Sequence, residues 1–410
     1  MIAVSEEEMI MDLKEEAMEL RRQKHQTIGT TLTADINDAH DLAVVYTPGV
    51  AAPCLAIKED EDLSLEYTWR GNVVAVISDG TRVLGLGDIG PAASLPVMEG
   101  KCALYKRFGN VDAIPIVIDT KDPEEFIHCV RLLEKSFAGI NLEDISSPKC
   151  YDIEDRLKEV MGIPVFHDDQ HGTAIAAVAG VLGGLKLVGK SIGEAKVVVN
   201  GAGAAGSAIA RLLLSCGVDP KNMTIVEIDG ILHDNGRLNR IQKALQEKVN
   251  PENKTGTFRD AVTGADVLVG CSGPGLFKVE DIKLMAEKNI VFGMANPTPE
   301  MMLDDARAAG VYIFGTGRSD MPNQVNNSSV FPGLFRGALD VRARQINEEM
   351  KVAAAYALAD LVDVETMDPD HVVRNVFDPV VAPAVAKAVA KAAIATGVAR
   401  VKELPPQYRD

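Results

Sequence analysis

An α/β fold built on parallel sheets is what this sequence predicts, and three observations carry the prediction. From residue 113 onward, short apolar runs alternate with stretches of helical spacing, the rhythm of strand–helix–strand units. A Gly-x-Gly-x-x-Gly run, Gly201 to Gly206, stands between an apolar strand and an apolar helix. Composition agrees: 47% hydrophobic residues can fill sizeable cores, and 35 glycines suit many tight strand-to-helix turns. At 410 residues the chain has room for two domains, at the usual ~100–200 residues each.

The elements follow in order. Ser5 with Glu8 forms a capping-box pattern, and Ile10, Leu13, Ala17 and Leu20 recur at helical spacing, so the chain opens with an amphipathic helix. Residues 72–87 read as two apolar strands joined at Asp79-Gly80, a strong hairpin signal because that turn needs positive φ. Next come a strand over 113–119, a helix near 123–137, a strand over 139–144, a helix near 152–161 and a strand over 163–169. A long Ala/Gly/Leu-rich helix over roughly 172–188 leads to a second unit, with strands expected at 195–201, 223–229, 265–272, 289–296 and 311–317. The Ala-rich stretch 382–399 reads as a C-terminal helix after Pro383. The change of pattern near 160–170 divides the chain into an N-terminal domain, 1–163, and a C-terminal domain, 164–410.

Charge and cysteine usage narrow the function classes. A net charge of −17 disfavours nucleic acid and anionic membranes as partners, and an anionic substrate needs local positive charge in its pocket. Cys54, Cys102, Cys129, Cys150, Cys216 and Cys271 form no C-x-x-C pair and read as reduced thiols. With no long uncharged apolar run and an acidic N-terminus, the expectation is a cytoplasmic protein.

In the glycine run, Gly201 permits a tight turn, Gly203 lets the backbone approach a pyrophosphate, and Gly206 lets the helix pack on the strand. Ala202, Ala204 and Ala205 complete the loop, and the helix N-terminus offers free N–H groups to phosphates. The reading is a Rossmann-like, doubly wound parallel sheet. The next strand ends in Glu227-Ile228-Asp229, where an acid can bind the adenine ribose hydroxyls and repel a 2′-phosphate. That favours NAD, with NADP possible. Asp229 is the choice, with Glu227 left open by the uncertain register.

Two acidic pairs end apolar strands: Glu143-Asp144 after GINL and Asp168-Asp169 after IPVFH. Carboxylates there need solvent, a partner or a cation. Successive strand residues point to opposite faces, so Glu143 and Asp144 can share an ion only if the strand bends out of register. Oxygen-only ligands suit Mg²⁺ or Mn²⁺. Such acids also serve as helix caps or solvated surface groups, and Asp169 stands where it could cap the following helix. His167 and His171 flank the acids and are read as structural or hydrogen-bonding residues.

Beyond these local signals, the sequence closely resembles the malic enzyme family over nearly its whole length. The matching stretches are YTPGV (46–50), SDGTRVLGLGDIGP (78–91), VMEGKCALYKRFG (97–109), NLEDISSP (141–148), FHDDQHGTA (166–174), NGAGAAG (200–206), ANPTPE (295–300) and NNSSVFPGLFRGALD (326–340). The length and the FHDDQHG form look like the short bacterial and archaeal branch, without the acyltransferase-like extension of some relatives. The resemblance implies an N-terminal malic-type α/β domain ahead of the dinucleotide domain. It also implies that Glu143, Asp144 and Asp169 hold the divalent cation. Tyr46 corresponds to the general acid and Lys101 to the general base, with Asp168 beside that lysine. Arg82 would clamp a substrate carboxylate, and Asn296 with Asn326 or Asn327 would bind substrate near the nicotinamide.

The implied reaction is oxidation of (S)-malate and decarboxylation to pyruvate with reduction of NAD(P), and decarboxylation of oxaloacetate, in a homodimer or larger homo-oligomer. Lys101 can act as base if burial or neighbouring positive charge depresses its pKa. The alternatives are decarboxylation without net redox, either malolactic or of oxaloacetate, and a catalytically silent dinucleotide-binding regulator.

Overall fold

The computed structural model describes residues 6–409, with side chains from Leu13 onward. Two sheets organise the chain. The first holds β1 (Val73–Ser78), β2 (Asp112–Val117), β3 (Gly139–Leu142) and β4 (Val165–His167) in the order β2-β1-β3-β4. Every neighbouring pair is parallel. The hairpin expected at 72–87 does not form. β1 is flanked on both edges by parallel strands and is buried along its whole length, so VVAVIS is a central strand with two covered faces. Asp79-Gly80 instead opens a loop. Asp79 Oδ1 accepts from the Thr81 N–H and hydroxyl, Gly80 has φ +68°, and an isolated bridge joins Val83 to Gly87.

The second sheet holds β5 (Val197–Asn200), β6 (Met223–Glu227), β7 (Gly230–Ile231), β8 (Val267–Gly270), β9 (Ile290–Gly293) and β10 (Ile313–Thr316). Its order is β10-β9-β8-β5-β6-β7. Counted from β5, this is the strand order of a doubly wound dinucleotide-binding sheet, with the order reversing between β5 and β8. Only the two-residue β7, unforeseen in the sequence, runs antiparallel to its neighbour. The doubly wound architecture expected for this half is therefore present.

The helix Asp168–Val188 begins four residues earlier than expected, with His167 at its N-cap making no side-chain cap. Asp168 and Asp169 thus occupy its first turn, where the helix dipole favours negative charge, and Asp169 is not a cap. This helix is the one among the described residues long and apolar enough to span a bilayer, yet most of it is buried in the fold, as suits a core helix. It packs on the helices Ala204–Ser215 and Glu348–Ala359.

The two halves share one continuous apolar core. β4 lies beyond residue 163, so the first sheet extends into the segment assigned to the second domain. The C-terminal helix Phe331–Asp340 also leans on the helix Pro91–Gly109 of the first half: Phe335 meets Tyr105 and Phe166 edge-on. The Ala-rich helix runs Val381–Ala395, with Pro383 in its first turn instead of ahead of it. The opening helix runs Glu6–Lys24. Ser5 and the side chains of Glu8 and Ile10 lie outside the described residues, while Leu13, Ala17 and Leu20 face solvent.

Candidate active site

The carboxyl ends of strands from both sheets open onto one cleft of about 860 Å³. Ligands of open α/β sheets gather at such ends. On the first-sheet side, β3 stops at Leu142 and Asp144 adopts φ +54°, in the left-handed region. That is the bend required for consecutive acids to turn together. Glu143, Asp144 and Asp169 each bring a carboxylate oxygen within 4.8 Å of the others. The Asp144 N–H donates to Asp169 Oδ2 at 2.7 Å. Lys101, buried on the helix Pro91–Gly109, places Nζ 2.6 Å from Asp168 Oδ2 and 2.8 Å from Glu143 Oε1. The same ammonium lies 4.4 Å from the centre of the Phe331 ring. Asn141 Nδ2 donates to Glu143 Oε2 at 2.8 Å, and the Tyr105 hydroxyl donates to Asn141 Oδ1 at 2.9 Å, which fixes the Glu143 carboxyl.

Four acids crowd one ammonium, and their acidities respond. Burial, reinforced by the charges of Asp169 and Glu143, pushes Asp144 up to about 9. Burial also raises Asp168 and Asp169, each to about 6, against the opposing pull of Lys101. Glu143 rises for the same first reason. For Lys101, burial alone favours the neutral amine, but Asp168, Glu143 and Asp169 together hold it well above its ordinary value. This reverses the depressed lysine anticipated from the sequence, because its immediate neighbours are anions. Among the described residues, Asp144 Oδ2 is buried without a hydrogen-bond partner. An oxygen-only cluster with excess negative charge and an orphaned buried oxygen fits a hard divalent cation. The His171 ring is engaged elsewhere, 2.9 Å from the Glu154 carboxylate.

On the second-sheet side, Gly201 and Gly206 stand where no side chain fits, as the turn and the helix packing require. Gly201 has φ +105°, and a Cβ there would lie 2.5 Å from the Cys271 carbonyl oxygen. A Cβ on Gly206 would lie 1.8 Å from the Gly201 oxygen, so helix and strand approach too closely for any side chain. Gly203, by contrast, faces open cleft. The helix Ala204–Ser215 starts here without a side-chain cap, leaving its first N–H groups for an anion. Ala204 and Ala205 line the cleft, while Ala202 is buried behind it. Glu227, the last residue of β6, accepts from the Ala202 N–H, whereas Asp229 stands in the exposed turn before β7. The acid against the loop is therefore Glu227, the alternative that the sequence left open beside Asp229, because β6 ends two residues sooner than the sequence register assumed.

The remaining predicted residues divide. Arg82, Asn296, Asn326 and Asn327 line the cleft. Arg82 is exposed at its mouth, its backbone N–H bound to the Asp144 carbonyl at 3.0 Å. Asn326 spends its amide on the loop, donating to Gly317 O at 3.1 Å and accepting from the Ser328 N–H at 2.9 Å. Tyr46 is not brought to the cleft. It caps the helix Ala39–Val45 and is 66% exposed, among the exposed side chains of Leu42, Val44, Val45, Val50 and Leu55. Sequence reasoning missed Asn141, Phe331 and Glu300. Glu300 is fully buried and binds the Ser272 N–H at 2.8 Å and the Ala295 N–H at 3.0 Å, joining the loops after β8 and β9. A charged residue at the end of ANPTPE was the one available signal.

Comparison with known proteins decides the kinship. Residues 23–158 match the model of the malic enzyme N-terminal domain, and residues 170–394 match that of the malic enzyme NAD binding domain. The chain belongs to the malic enzyme family. It is 50% identical to the bifunctional malic/malolactic enzyme of Bacillus subtilis (strain 168), covering 98% of each chain. It is 45% identical to the NADP-dependent malic enzyme of Halomonas elongata, covering 93% of each. The crystal structure of malic enzyme from Pyrococcus horikoshii superposes with a TM-score of 0.90 at 46% identity, covering 95% of this chain and 93% of that one. Within this malic enzyme fold, Glu143 and Asp144 lie in the segment matched by the N-terminal domain, Asp169 lies immediately before the segment matched by the NAD binding domain, and the glycine loop lies inside that second segment.

Proposed function

We propose that the protein oxidises (S)-malate with NAD(P)⁺ and decarboxylates the product to pyruvate, and that it also decarboxylates oxaloacetate. One observation carries this reading: the acid triad, Lys101 with Asp168 buried behind it, and the glycine loop meet at a single cleft. A simple dehydrogenase needs a base and a dinucleotide, while the added cation site suits a reaction that also builds charge on the C2 oxygen during loss of CO₂. Glu143, Asp144 and Asp169 would hold a divalent Mg²⁺ or Mn²⁺, which would supply Lewis-acid stabilisation of that oxygen and offset the anionic field that keeps Lys101 protonated.

Lys101, once neutral, accepts the C2 hydroxyl proton as hydride leaves C2 for the nicotinamide, giving oxaloacetate. Asp168 orients the amine for this transfer. The C4 carboxylate departs as CO₂ while Lys101 returns its proton to the C2 oxygen. Tyr46 then protonates C3 of the enol, and Lys101 takes up the hydroxyl proton to leave pyruvate. Arg82 clamps a substrate carboxylate, and Asn296 with Asn327 or Asn326 orients the substrate against the nicotinamide. Glu227 binds the adenine ribose.

We further propose a homodimer in which Tyr46 enters the partner's cleft. Its exposure among apolar side chains, away from its own cleft, supports this arrangement. Mixing Tyr46→Phe chains with Lys101→Ala chains tests it. If the tyrosine acts across subunits, random exchange restores about a quarter of wild-type sites. Absence of recovery after verified subunit exchange places the acid within its own chain. A cytoplasmic location accords with six free cysteines.

The deciding experiment follows malate oxidation spectrophotometrically with NAD and NADP in parallel, with and without Mn²⁺, and identifies the product. Metal-dependent pyruvate and NAD(P)H formation is expected. The name of the Bacillus subtilis relative favours one second reading, malolactic conversion. Lactate without net NADH would establish that instead.

A further inference from the structure

A second cavity, of about 320 Å³, lies behind the active cleft and shares no lining residue with it. The helices Asp168–Val188 and Ala204–Ser215 form the wall between the two. Asp169, Thr173, Ala204 and Ala205 face the cleft, while His171 and Arg211 face the cavity. The helices Arg240–Val249 and Glu348–Ala359 close the other sides, contributing Lys248, Glu348 and Lys351.

The charges here run against the rest of a chain of net −17. Three cations line the cavity against one acid. That acid, Glu348, is already taken by Lys351 at 2.5 Å and by the Ser215 hydroxyl at 3.0 Å. Arg211 Nε is buried with no hydrogen-bond partner among the described residues. A buried donor of this kind calls for an acceptor. Leu245 and neighbouring aliphatic side chains form the remaining wall. The size sits at the lower end of small-molecule sites.

We propose that this cavity binds a small organic dianion, carrying two carboxylates or one phosphate on a short carbon body, held by Arg211 and Lys248, and that its occupancy is felt at the acid cluster. The physical link is His171. Its Nδ1 lies 3.4 Å from Lys351 Nζ, and its Nε2 lies 2.9 Å from the Glu154 carboxylate. Glu154 also receives the His167 N–H and Gln170 Nε2, each at 3.1 Å, and so clamps the segment that carries Asp168 and Asp169. An anion that draws Lys351 toward the cavity loosens one end of this chain of contacts.

Calorimetry on the full-length protein without Mn²⁺ tests the site, using succinate, glycerol 3-phosphate and, as a monoanion control, acetate. One dianion should bind saturably at one per chain and at least tenfold more tightly than acetate, and whether succinate or glycerol 3-phosphate binds tighter identifies the source. Arg211→Ala and Lys248→Ala should each weaken that binding at least tenfold, while malate turnover without dianion stays within twofold of wild type. Arg211→Lys, which keeps the charge but loses the planar fork, should weaken it less at an unchanged melting temperature. In the wild type, saturating dianion should change apparent Mn²⁺ affinity at least twofold. The site is overturned if neither dianion outbinds acetate, or if binding persists undiminished in both alanine variants. An unchanged Mn²⁺ affinity overturns the coupling. The binding arm reads independently of whether malate is the substrate.

Discussion

The two walls of the cleft are built on different principles. On the dinucleotide side, backbone geometry does the work: Gly201 and Gly206 have no room for a Cβ, and the helix beyond them presents uncapped N–H groups. The protein finishes that surface by itself. On the acid side, Lys101, Glu143, Asp144, Asp168 and Asp169 come from separate segments, four acids share one ammonium, and Asp144 Oδ2 is left without a hydrogen-bond partner among the described residues. One wall is a preformed cradle, and the other is complete only with a cation. Substitutions on the acid side should therefore act on chemistry and metal together in separable ways, while those around the cradle should act on cofactor affinity.

The largest expected effect is that of Lys101→Ala, which should lower kcat by about 10³–10⁴-fold, at the upper range for loss of a general acid–base group. Mn²⁺ binding should be retained or tightened, because removing an ammonium leaves the triad more negative. Parallel turnover and Mn²⁺ titration check both halves. If Mn²⁺ affinity collapses with the rate, Lys101 organises the metal site and the division of labour drawn here is wrong. Asp169→Ala should do the opposite. It should weaken Mn²⁺ by more than about 100-fold, since loss of a direct ligand should exceed the ~10–100-fold typical of groups that only orient one. Activity should return at high Mn²⁺. A variant that binds Mn²⁺ normally removes Asp169 from the ligand set.

The same contrast explains what could be read from sequence. The glycine loop was legible because its causes are local: strand, tight turn and helix lie within a dozen residues. β1 was misread because Asp79-Gly80 is a local hairpin signal, overruled by pairing with β2 and β3, whose residues lie far along the chain. The members of the acid cluster could be named together only through resemblance, since nothing in the spacing of Lys101, Glu143 and Asp168 says that they meet. Asn141 and Phe331 were invisible for the same reason. Tyr46 was named by motif, yet its own chain leaves it on the surface, which no local pattern could convey.

A smaller effect separates the two acids near the cradle. Glu227→Ala should raise the KM for NAD about tenfold, the scale of one hydrogen bond to a charged group. It should also narrow the gap between NAD and NADP, because a 2′-phosphate no longer meets a carboxylate. Asp229→Ala should change either KM by less than about twofold, as befits an exposed turn residue outside the loop. The reverse ranking would restore Asp229 as the ribose ligand and would mean that the turn before β7 closes over the bound cofactor.

The smallest effect is thermal and probes the incomplete wall directly. In the metal-free protein, burial and then its acidic neighbours push Asp144 up to about 9, against about 3.9 in an unfolded chain. Between those values the folded state holds a proton that the unfolded state has lost, so metal-free stability falls as pH rises from about 4 to 9. Asp168 and Asp169, raised to about 6, add to the fall in its lower part. Asp144→Asn removes the largest of these penalties without changing shape. The metal-free variant should melt several degrees above wild type at pH 8, and above it by about a quarter of that at pH 5. Mn²⁺ should invert the order, because it binds the carboxylate and stabilises only the wild type appreciably, increasingly so toward pH 8. Calorimetric melting at the two pH values, with and without Mn²⁺, gives the four numbers needed. Equal melting of both proteins in all four conditions would mean that Asp144 is neither strained by its neighbours nor engaged by the ion.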